Sequence, residues 1–327
     1  MRTWRWALAA AMAALAAFPA DAPPAWAGDA ALHAPPPLDD PRYVTPTTSD
    51  AIGRVVAPVY VNGQGPFRFV VDTGANRSVL SPRLAGALGL DVAGAPQSPV
   101  HGVTGVAPAP IVRVEDLRVG ELSRSGVDLA VLSNRLHASA DGTLGADHLR
   151  AGRLVIDFAR DRIELFETSA RVSPRDHRMP TRMRFGMLPV VSARIGPVAV
   201  HAVIDTGAER SVGNAALRRA LLREGMALQT EGEAQIFGVV GPTEVGDLVW
   251  APRFTFGGLR IARLPILFAD THFFRIWRLE EEPALLIGMD VLGQFDALTV
   301  DYGRQQVSVR LPQRLPAVRR MARASRL

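Results

Sequence analysis

Residues 71–75 read Val-Asp-Thr-Gly-Ala, and residues 204–208 read Ile-Asp-Thr-Gly-Ala. In both places the Asp-Thr-Gly-Ala sequence follows an apolar run that is typical of a β-strand, so each aspartate is predicted on a loop at a strand end. The glycine permits a sharp turn and a close approach by another segment, and the threonine hydroxyl can hold the loop by a hydrogen bond. One copy would indicate a structural turn, because aspartate and glycine are ordinary turn residues. Two copies predict two carboxylates that act together.

The two copies lie within a longer internal repeat. A predicted hairpin precedes each of them, with turns at 62–65 and 196–197, and a predicted short helix follows each, over 82–88 and 214–223. Three further matches come in the same order: 100–105 with 236–241, 144–149 with 287–292, and 154–158 with 298–302. Five matched elements in one order indicate a duplication, with each copy a strand-rich lobe of about 115–130 residues.

Other acidic residues recur in the repeat and are given structural roles. Asp147 and Asp290 match each other and are expected to N-cap helical turns. Asp157 and Asp301 recur before turns and are expected to stabilise those turns. His101, in the segment 100–105, is expected to be exposed.

A pair of facing aspartates has a defined chemistry. If the two copies pack about a pseudo-twofold axis, Asp72 and Asp205 meet at that axis. Two carboxylates within about 3 Å of each other do not both ionise easily, so one pKa rises and the pair titrates as a unit. One member can then take a proton from water while the other donates a proton to a substrate carbonyl.

The composition excludes several other chemistries. The chain has 327 residues and no cysteine, which excludes disulfides, thiol nucleophiles and cysteine-ligated metals. It also has no lysine, so all 37 basic residues are arginine and P-loop, Schiff-base and Ser–Lys chemistries are excluded. The seven histidines show no His-Glu-x-x-His spacing, so no metal site is predicted. No Gly-x-Ser-x-Gly sequence is present either.

Residues 1–27 are predicted to be a secretory signal peptide. Arg2 and Arg5 precede a 13-residue apolar stretch, and residues 25–27 read Ala-Trp-Ala, which fits a cleavage site. The stretch is too short to span a bilayer comfortably. We therefore expect an exported protein, periplasmic or secreted, with no stable membrane span after cleavage; an uncleaved anchor is the alternative.

The remaining chain divides into five predicted segments. They are a Pro- and Ala-rich tether over 28–51, an N-terminal lobe over 52–169, a basic linker over 170–184, a C-terminal lobe over 185–312 and a basic tail over 313–327. The tail carries five arginines and no acid, so the formal net charge of +5 is largely a property of the tail. Because the body is near neutral, no nucleic-acid partner is predicted. We expect a monomer in which the two lobes form a pseudo-dimer.

Over residues 52–312 the chain resembles the retropepsin-like aspartic proteases, the group of retroviral proteases and their bacterial relatives. The resemblance rests on the strand and Asp-Thr-Gly-Ala loop, the Ser-Val pairs at 78–79 and 211–212, the Gly-containing segments 100–105 and 236–241, and the apolar-Gly segments that end at Gly145 and Gly288. It implies an all-β fold of two β-barrel lobes related by pseudo-twofold symmetry, with short helices, in one chain.

The resemblance also implies roles for individual residues. Asp72 and Asp205 would form the catalytic pair, on active-site loops that contain Thr73, Gly74, Ala75, Thr206, Gly207 and Ala208. The threonines would hydrogen bond to the opposite loop, and the glycines would lie beside the substrate backbone. The cleft and two flaps would bind substrate through Asn76, Glu209, Gly102, Val103, Gly238 and Val239. The family usually has an acid at the position of Asn76 and Glu209, and Asn76 departs from that pattern.

These observations predict an aspartic endopeptidase that hydrolyses peptide or protein substrates with water and without a cofactor. The alternative is a catalytically silent peptide- or protein-binding module of the same fold in the cell envelope, since the sequence alone does not show that the aspartates face each other. A structural envelope protein would fit the basic tail but would leave the paired motifs unexplained.

Overall fold

The computed structural model describes residues 43–50, 52–120, 122–132, 140–150, 152–166, 175–179, 181–251 and 253–312. Within these ranges strands dominate and form three sheets. The predicted signal peptide and the basic tail lie outside the described residues. None of the helices in the described ranges is long and apolar enough to cross a membrane.

The first lobe is an eight-stranded sheet that closes into a barrel. Its strands are β2 (Thr48–Ser49), β3 (Val55–Val61), β4 (Gln64–Val71), β5 (Val79–Leu80), β6 (Gln97–His101), β7 (Val106–Val119), β8 (Leu122–Val131) and β9 (Gly142–Leu144). They follow the order β2-β3-β4-β9-β5-β8-β7-β6. An additional pairing between β3 and β7 closes the ring.

The second lobe repeats this arrangement in a ten-stranded sheet. Its strands are β13 (Thr181–Arg184), β14 (Leu188–Ile195), β15 (Val198–Ile204), β16 (Val212–Gly213), β17 (Thr230–Ile236), β18 (Glu244–Ala251), β19 (Phe254–Phe256), β20 (Leu259–Ile261), β21 (Leu264–Phe268) and β22 (Ala284–Ile287). The order is β17-β18-β21-β16-β22-β15-β14-β19-β20, and β13 also pairs with β14. The counterpart of the continuous β7 is divided into β18 and β19. The intervening chain contains Pro252, which has no amide hydrogen for a sheet ladder.

A third sheet joins the two lobes. It consists of β1 (Tyr43–Pro46), β10 (Arg153–Asp157), β11 (Arg162–Phe166), β12 (Asp176–Met179), β23 (Ala297–Asp301) and β24 (Gln306–Arg310), in the order β1-β11-β10-β23-β24-β12. At its centre β10 of the first lobe pairs antiparallel with β23 of the second, and every residue of these two strands is buried. The repeat predicts both closing hairpins, and the structure adds that they form one sheet.

The predicted tether is wrong at its C-terminal end. Within residues 28–51, β1 pairs with β11 and β2 pairs with β3, and Thr45 is buried. Both strands lie at sheet edges, where a proline such as Pro46 is tolerated because one side of the strand has no ladder bonds to make. Because of its proline content, the segment was predicted as a tether rather than as strands.

The predicted linker is wrong in its second half for a related reason. Within residues 170–184, β12 pairs with β24 and β13 pairs with β14. Arg178 and Arg182 are exposed on these strands, whereas Met179 is buried. Charged side chains are usual on edge strands, since they oppose pairing with other molecules. The basic composition of residues 170–184 is therefore as typical of exposed edge strands as of a linker.

Five short helices lie in the described ranges: α1 (Pro82–Ala87), α2 (Ala146–Leu149), α3 (Ala215–Arg223), α4 (His272–Ile276) and α5 (Met289–Leu292). The predictions of α1 and α3 are confirmed. Ser81 and Asn214 cap these helices by accepting hydrogen bonds from the amides of Leu84 and Leu217. The sequence pattern did not predict helix α4.

Candidate active site

Asp72 and Asp205 leave equivalent positions of the two lobes. Asp72 follows β4, and its amide donates to the carbonyl of Leu144 at 3.0 Å. Asp205 follows β15, and its amide donates to the carbonyl of Ile287 at 3.1 Å. Leu144 and Ile287 end β9 and β22, the parallel neighbours of β4 and β15. Each aspartate therefore emerges where two buried parallel strands end together.

The lobes bring the two carboxyl groups together. The carboxyl groups of Asp72 and Asp205 lie close enough for each to change the pKa of the other. A Cβ atom added to Gly207 would overlap the carboxyl of Asp72, and one added to Gly74 would overlap the carboxyl of Asp205. Each carboxyl thus lies against the opposite glycine, in space that a side chain would occupy.

Backbone amides fix the orientation of each carboxyl. Asp72 Oδ1 accepts hydrogen bonds from the amides of Gly74 and Ala75, both at 2.9 Å. In the second lobe, Asp205 Oδ1 accepts from the amides of Gly207 and Ala208, at 2.9 and 3.2 Å. The Asp-Thr-Gly-Ala sequence therefore forms the same turn twice, and both turns present their carboxyls to the shared cavity.

Two buried threonines connect the loops. The hydroxyl of Thr73 donates to the carbonyl of Ile204 at 2.9 Å and accepts from the amide of Thr206 at 3.2 Å. In return, the hydroxyl of Thr206 donates to the carbonyl of Val71 at 2.7 Å and accepts from the amide of Thr73 at 3.1 Å. These four reciprocal bonds fix the position of one aspartate relative to the other.

Burial raises the pKa of both aspartates. For Asp205 the negative charge of Asp72 adds to the effect of burial and raises the pKa well above the ordinary aspartate value. The loop amides oppose the rise at both residues because they stabilise the charged form. Asp205 is only 4% exposed, whereas Asp72 is half-buried. The pair therefore retains one proton to a higher pH than a single exposed aspartate does.

A second layer of hydrogen bonds supports each loop and corrects a prediction. Asp147 accepts from the amide and hydroxyl of Ser78, at 3.0 and 2.7 Å. Asp290 accepts in the same way from Ser211, at 3.0 and 2.8 Å. The N-caps of α2 and α5 are Gly145 and Gly288 rather than these aspartates, which turn toward the active-site loops. Asp157 and Asp301, as expected, accept turn amides three residues later.

Two hairpins meet above the aspartates. The first, β6–β7, turns at residues 102–105, and the second, β17–β18, turns at residues 237–243. A Cβ added to Gly105 would lie 2.8 Å from Cα of Gly241, so the tips are in contact. The hydroxyl of Thr104 donates to the carbonyl of Val240 at 2.9 Å. We call these two turns the first and second flap.

The first flap also contacts helix α4. The carbonyl of Val103 accepts a hydrogen bond from the amide of Phe273 at 2.9 Å. Beside it, the exposed His101 stacks on His272, with ring centroids 5.5 Å apart.

The loops and flaps enclose a cavity of about 600 Å³. Both aspartates border it, and so do the predicted substrate-binding residues: Asn76, Glu209, Gly102, Val103, Gly238 and Val239. A volume of this size is within the usual range for ligand sites. The cavity, closed by two flaps and carrying two coupled acids at its base, is the candidate active site.

A protein-family model described as aspartyl protease matches residues 57–148 and 191–291, together more than half of the chain. The chain belongs to the aspartyl protease family. The match falls into two parts, one in each lobe, which agrees with the internal duplication and with the retropepsin-like fold of two lobes in one chain. Among curated proteins no match is found.

Several residues of this aspartyl protease border the cavity without having been predicted. They are Ile52 and Arg54 before β3, Phe185 and Met187 before β14, and Phe273, Ile276, Trp277 and Arg278 in and after α4. The residues before β3 lie where the tether was predicted to end, and those in and after α4 lie in a segment outside the matched elements of the repeat.

The described part of the aspartyl protease contains no group of three or more histidines or acids placed to hold a metal ion.

Proposed function

We propose that this aspartyl protease is an endopeptidase in which Asp72 and Asp205 activate a water molecule against a peptide bond. The observation that carries the proposal is the apposition of the two carboxyl groups at the base of a closed cavity. Aspartic proteases use such a pair with one shared proton.

The proposed reaction begins with one proton on the pair. The ionised aspartate takes a proton from water as the water oxygen bonds to the peptide carbonyl carbon, and the protonated aspartate donates its proton to the carbonyl oxygen. The resulting tetrahedral intermediate collapses when the C–N bond breaks and the amine nitrogen receives a proton. The products are a carboxyl and an amine, and the pair again holds one proton, so no cofactor is required.

Substrate would bind as an extended strand between the aspartates and the flaps. An extended peptide can pair its backbone with a hairpin edge while alternate side chains enter pockets. Apolar side chains from both lobes border the cavity, including Val70, Met187 and Leu286. We further propose that the protein acts as an exported monomer after removal of residues 1–27, because one chain supplies both halves of the site.

The test uses protein expressed from residue 28 and a peptide library assayed from pH 3 to pH 7. We expect cleavage that Asp72→Asn and Asp205→Asn each reduce by at least about 1,000-fold, since each removes an acid–base group. Asp161→Asn, a change of the same kind at an exposed turn residue, is the matched control and should retain full activity.

Each outcome of this experiment is informative. Full activity in either active-site variant would contradict the pairing of Asp72 with Asp205. Absence of cleavage by the unaltered protein at every pH, with retained peptide binding, would favour the silent binding module. Removal of residues 313–327 should leave cleavage unchanged, and a loss of activity would assign the basic tail to the enzyme.

A further inference from the structure

The two aspartates have different cross-strand neighbours. In the first lobe β3 and β4 pair Val56 with Val70, so the same register continued by two residues places Arg54 opposite Asp72. In the second lobe β14 and β15 pair Val190 with Val203, and the same step places Leu188 opposite Asp205. Residues directly opposite on antiparallel strands have Cβ atoms about 4.5–5.5 Å apart. A cation therefore accompanies one aspartate, and an apolar side chain accompanies the other.

Arg54 is fixed in this position. It is 5% exposed and borders the same cavity as Asp72. Its Nε and Nη2 atoms both lie 2.7 Å from Oδ2 of Asp50, and its amide donates to Oδ1 of the same residue at 2.9 Å. The carboxyl of Asp50 thus holds the guanidinium from the side chain and from the backbone. Leu188 is 1% exposed and belongs to the apolar core of the second lobe.

We propose that Arg54 is a positioning residue that keeps the negative charge on Asp72 and leaves the shared proton on Asp205. This assignment rests on the proposed function. It gives each aspartate one role in the first step of the reaction. Asp72 takes the proton from water, and Asp205 donates to the peptide carbonyl. The exposure of the two residues agrees with these roles, since the half-buried Asp72 tolerates charge better than the buried Asp205 does.

The surrounding charges support the same assignment. Burial raises the pKa of Asp72, but the positive charge of Arg54 is among the groups that oppose this rise. At Asp205 burial and the charge of Asp72 both raise the pKa. Asp50 partly offsets Arg54, and at Tyr302 burial raises the phenol pKa and the charge of Asp72 adds to the increase. Further charged or titratable side chains border the same cavity: Arg77, His101, Glu209, Arg210 and Arg278.

The first test measures the pH dependence of kcat/KM with a cleaved peptide. Arg54→Met removes the cation and should move the acid limb of the profile to higher pH by about one unit. Asp50→Asn removes the carboxylate that partly offsets the charge of Arg54 and should move the limb to lower pH. Arg54→Lys retains the charge and should lie near the unaltered protein, as should Leu188→Met, the matched change beside Asp205.

Opposite shifts of the acid limb in Arg54→Met and Asp50→Asn distinguish an effect of charge from structural support. A purely structural role would lower activity in both of these variants without moving the limb in opposite directions. If Arg54→Met does not fold, as judged by circular dichroism, Asp50→Asn and Arg54→Lys decide the question. An unchanged acid limb in a folded Arg54→Met protein, or in Asp50→Asn where Arg54→Met fails, would overturn the proposal.

The second test does not require turnover. Carboxyl carbon-13 NMR of aspartate-labelled protein, with signals assigned through Asp72→Asn and Asp205→Asn, follows the two titration steps of the pair directly. We expect the signal of Asp72 to change mainly in the first step as pH rises, and that of Asp205 mainly in the second. In Arg54→Met this order should be lost. Titration of both signals to the same extent in each step in the unaltered protein would reject the role of Arg54. Absence of peptidase activity in the unaltered protein, with the order of titration retained, would reject only the proposed function.

Discussion

The contact between each carboxyl and the opposite glycine makes Gly74 and Gly207 as necessary to the site as the acids. In the described structure no atom beyond the Cα hydrogens of glycine fits between the Gly207 backbone and Asp72, or between Gly74 and Asp205. The glycines therefore determine how closely the lobes bring their acids together. A substitution there would leave both acids present and would separate them.

Gly207→Ala should reduce kcat/KM by at least about 100-fold, because its Cβ displaces the carboxyl of Asp72 and small displacements of reacting groups have effects of that size. Steady-state kinetics with a peptide substrate provides the measurement. Gly86→Ala is the matched control, since Gly86 lies in α1 and an added Cβ meets nothing within 4 Å. Undiminished activity of Gly207→Ala would show that the carboxyls do not need their present separation.

The raised pKa of Asp205 predicts a pH-dependent effect on stability. A carboxyl whose pKa is raised by folding binds its proton more tightly in the native state, so stability is lost as pH rises through the native pKa. Asp205→Asn removes this loss. We expect the variant to unfold at a higher temperature than the unaltered protein at pH 7, by roughly 2–4 °C for each kcal/mol of repulsion and desolvation removed.

The difference in unfolding temperature between Asp205→Asn and the unaltered protein should be smaller at pH 3, which is below the ordinary aspartate pKa. At that pH the carboxyl of Asp205 is largely protonated in both the folded and the unfolded state. Calorimetry at both pH values provides the measurement. If Asp205→Asn is less stable than the unaltered protein at pH 7, the carboxylate of Asp205 is stabilised rather than destabilised in the native state.

At the scale of single residues, the sequence predicts the shared parts of the site well. The family resemblance implies the hydrogen bonds of Thr73 and Thr206 to the opposite loop, and the structure contains them. The support by Asp147 and Asp290 was predicted as N-capping, since sequence spacing does not show that these side chains turn toward Ser78 and Ser211. Arg54 was missed because its proximity to Asp72 depends on strand register.

The flaps are the elements whose contact closes the site. Thr104 of the first flap is 3% exposed, and its hydroxyl bond to the carbonyl of Val240 is the polar link between the tips. Since both flaps must separate for a peptide to enter, this link contributes to the balance between the open and closed forms. Flap pairing was expected from the two Gly-containing segments, whereas the contact of the first flap with α4 was not.

Thr104→Val should weaken closure over bound peptide and raise KM about fivefold, which corresponds to a hydrogen bond of about 1 kcal/mol. Thr104→Ser keeps the hydroxyl and serves as the control. Steady-state kinetics separates KM from kcat. If Val and Ser variants have the same KM, the hydroxyl link does not contribute to closure.

At the scale of the whole molecule, the central sheet carries the junction between the lobes, and the N-terminal segment completes it. Strand β1 lies at the edge of that sheet, β2 extends the first barrel, and Asp50 pairs with the buried Arg54. The matched elements of the sequence repeat contain none of these three features, although β12 and β13 of the second lobe pair with β24 and β14 in the same way as β1 and β2 pair with β11 and β3.

A protein that begins at residue 52 should therefore be less stable than one that begins at residue 28. Loss of Asp50 alone breaks a buried ion pair with Arg54, for which a cost of about 3–5 kcal/mol is typical. Loss of the two strands adds to this cost. Urea unfolding provides the measurement. Removal of residues 313–327, a deletion at the opposite end, is the control and should leave the midpoint unchanged. Equal midpoints for the two N-terminal forms would contradict the role of residues 43–50.

The five matched elements thus predict two lobes and their shared axis, but not the sheet that joins them. Pairing of β10 with β23 is a contact between copies, and a repeat describes only what lies within a copy. The edge strands β1 and β12 were hidden by proline and arginine, which are more usual outside sheets.

Fusion of the two lobes into one chain has a consequence for the direction in which a peptide substrate binds in the cleft. Arg54 is contributed to the cleft by the first lobe only, and Phe185 and Trp277 by the second only. A peptide has an amino and a carboxyl end, and turning it around exchanges the side chains that meet the cation with those that meet the aromatic rings. An enzyme built from two identical chains accepts either orientation at equal energy. In this fused cleft the two orientations should differ in energy, so one direction of a bound peptide should be preferred over the other.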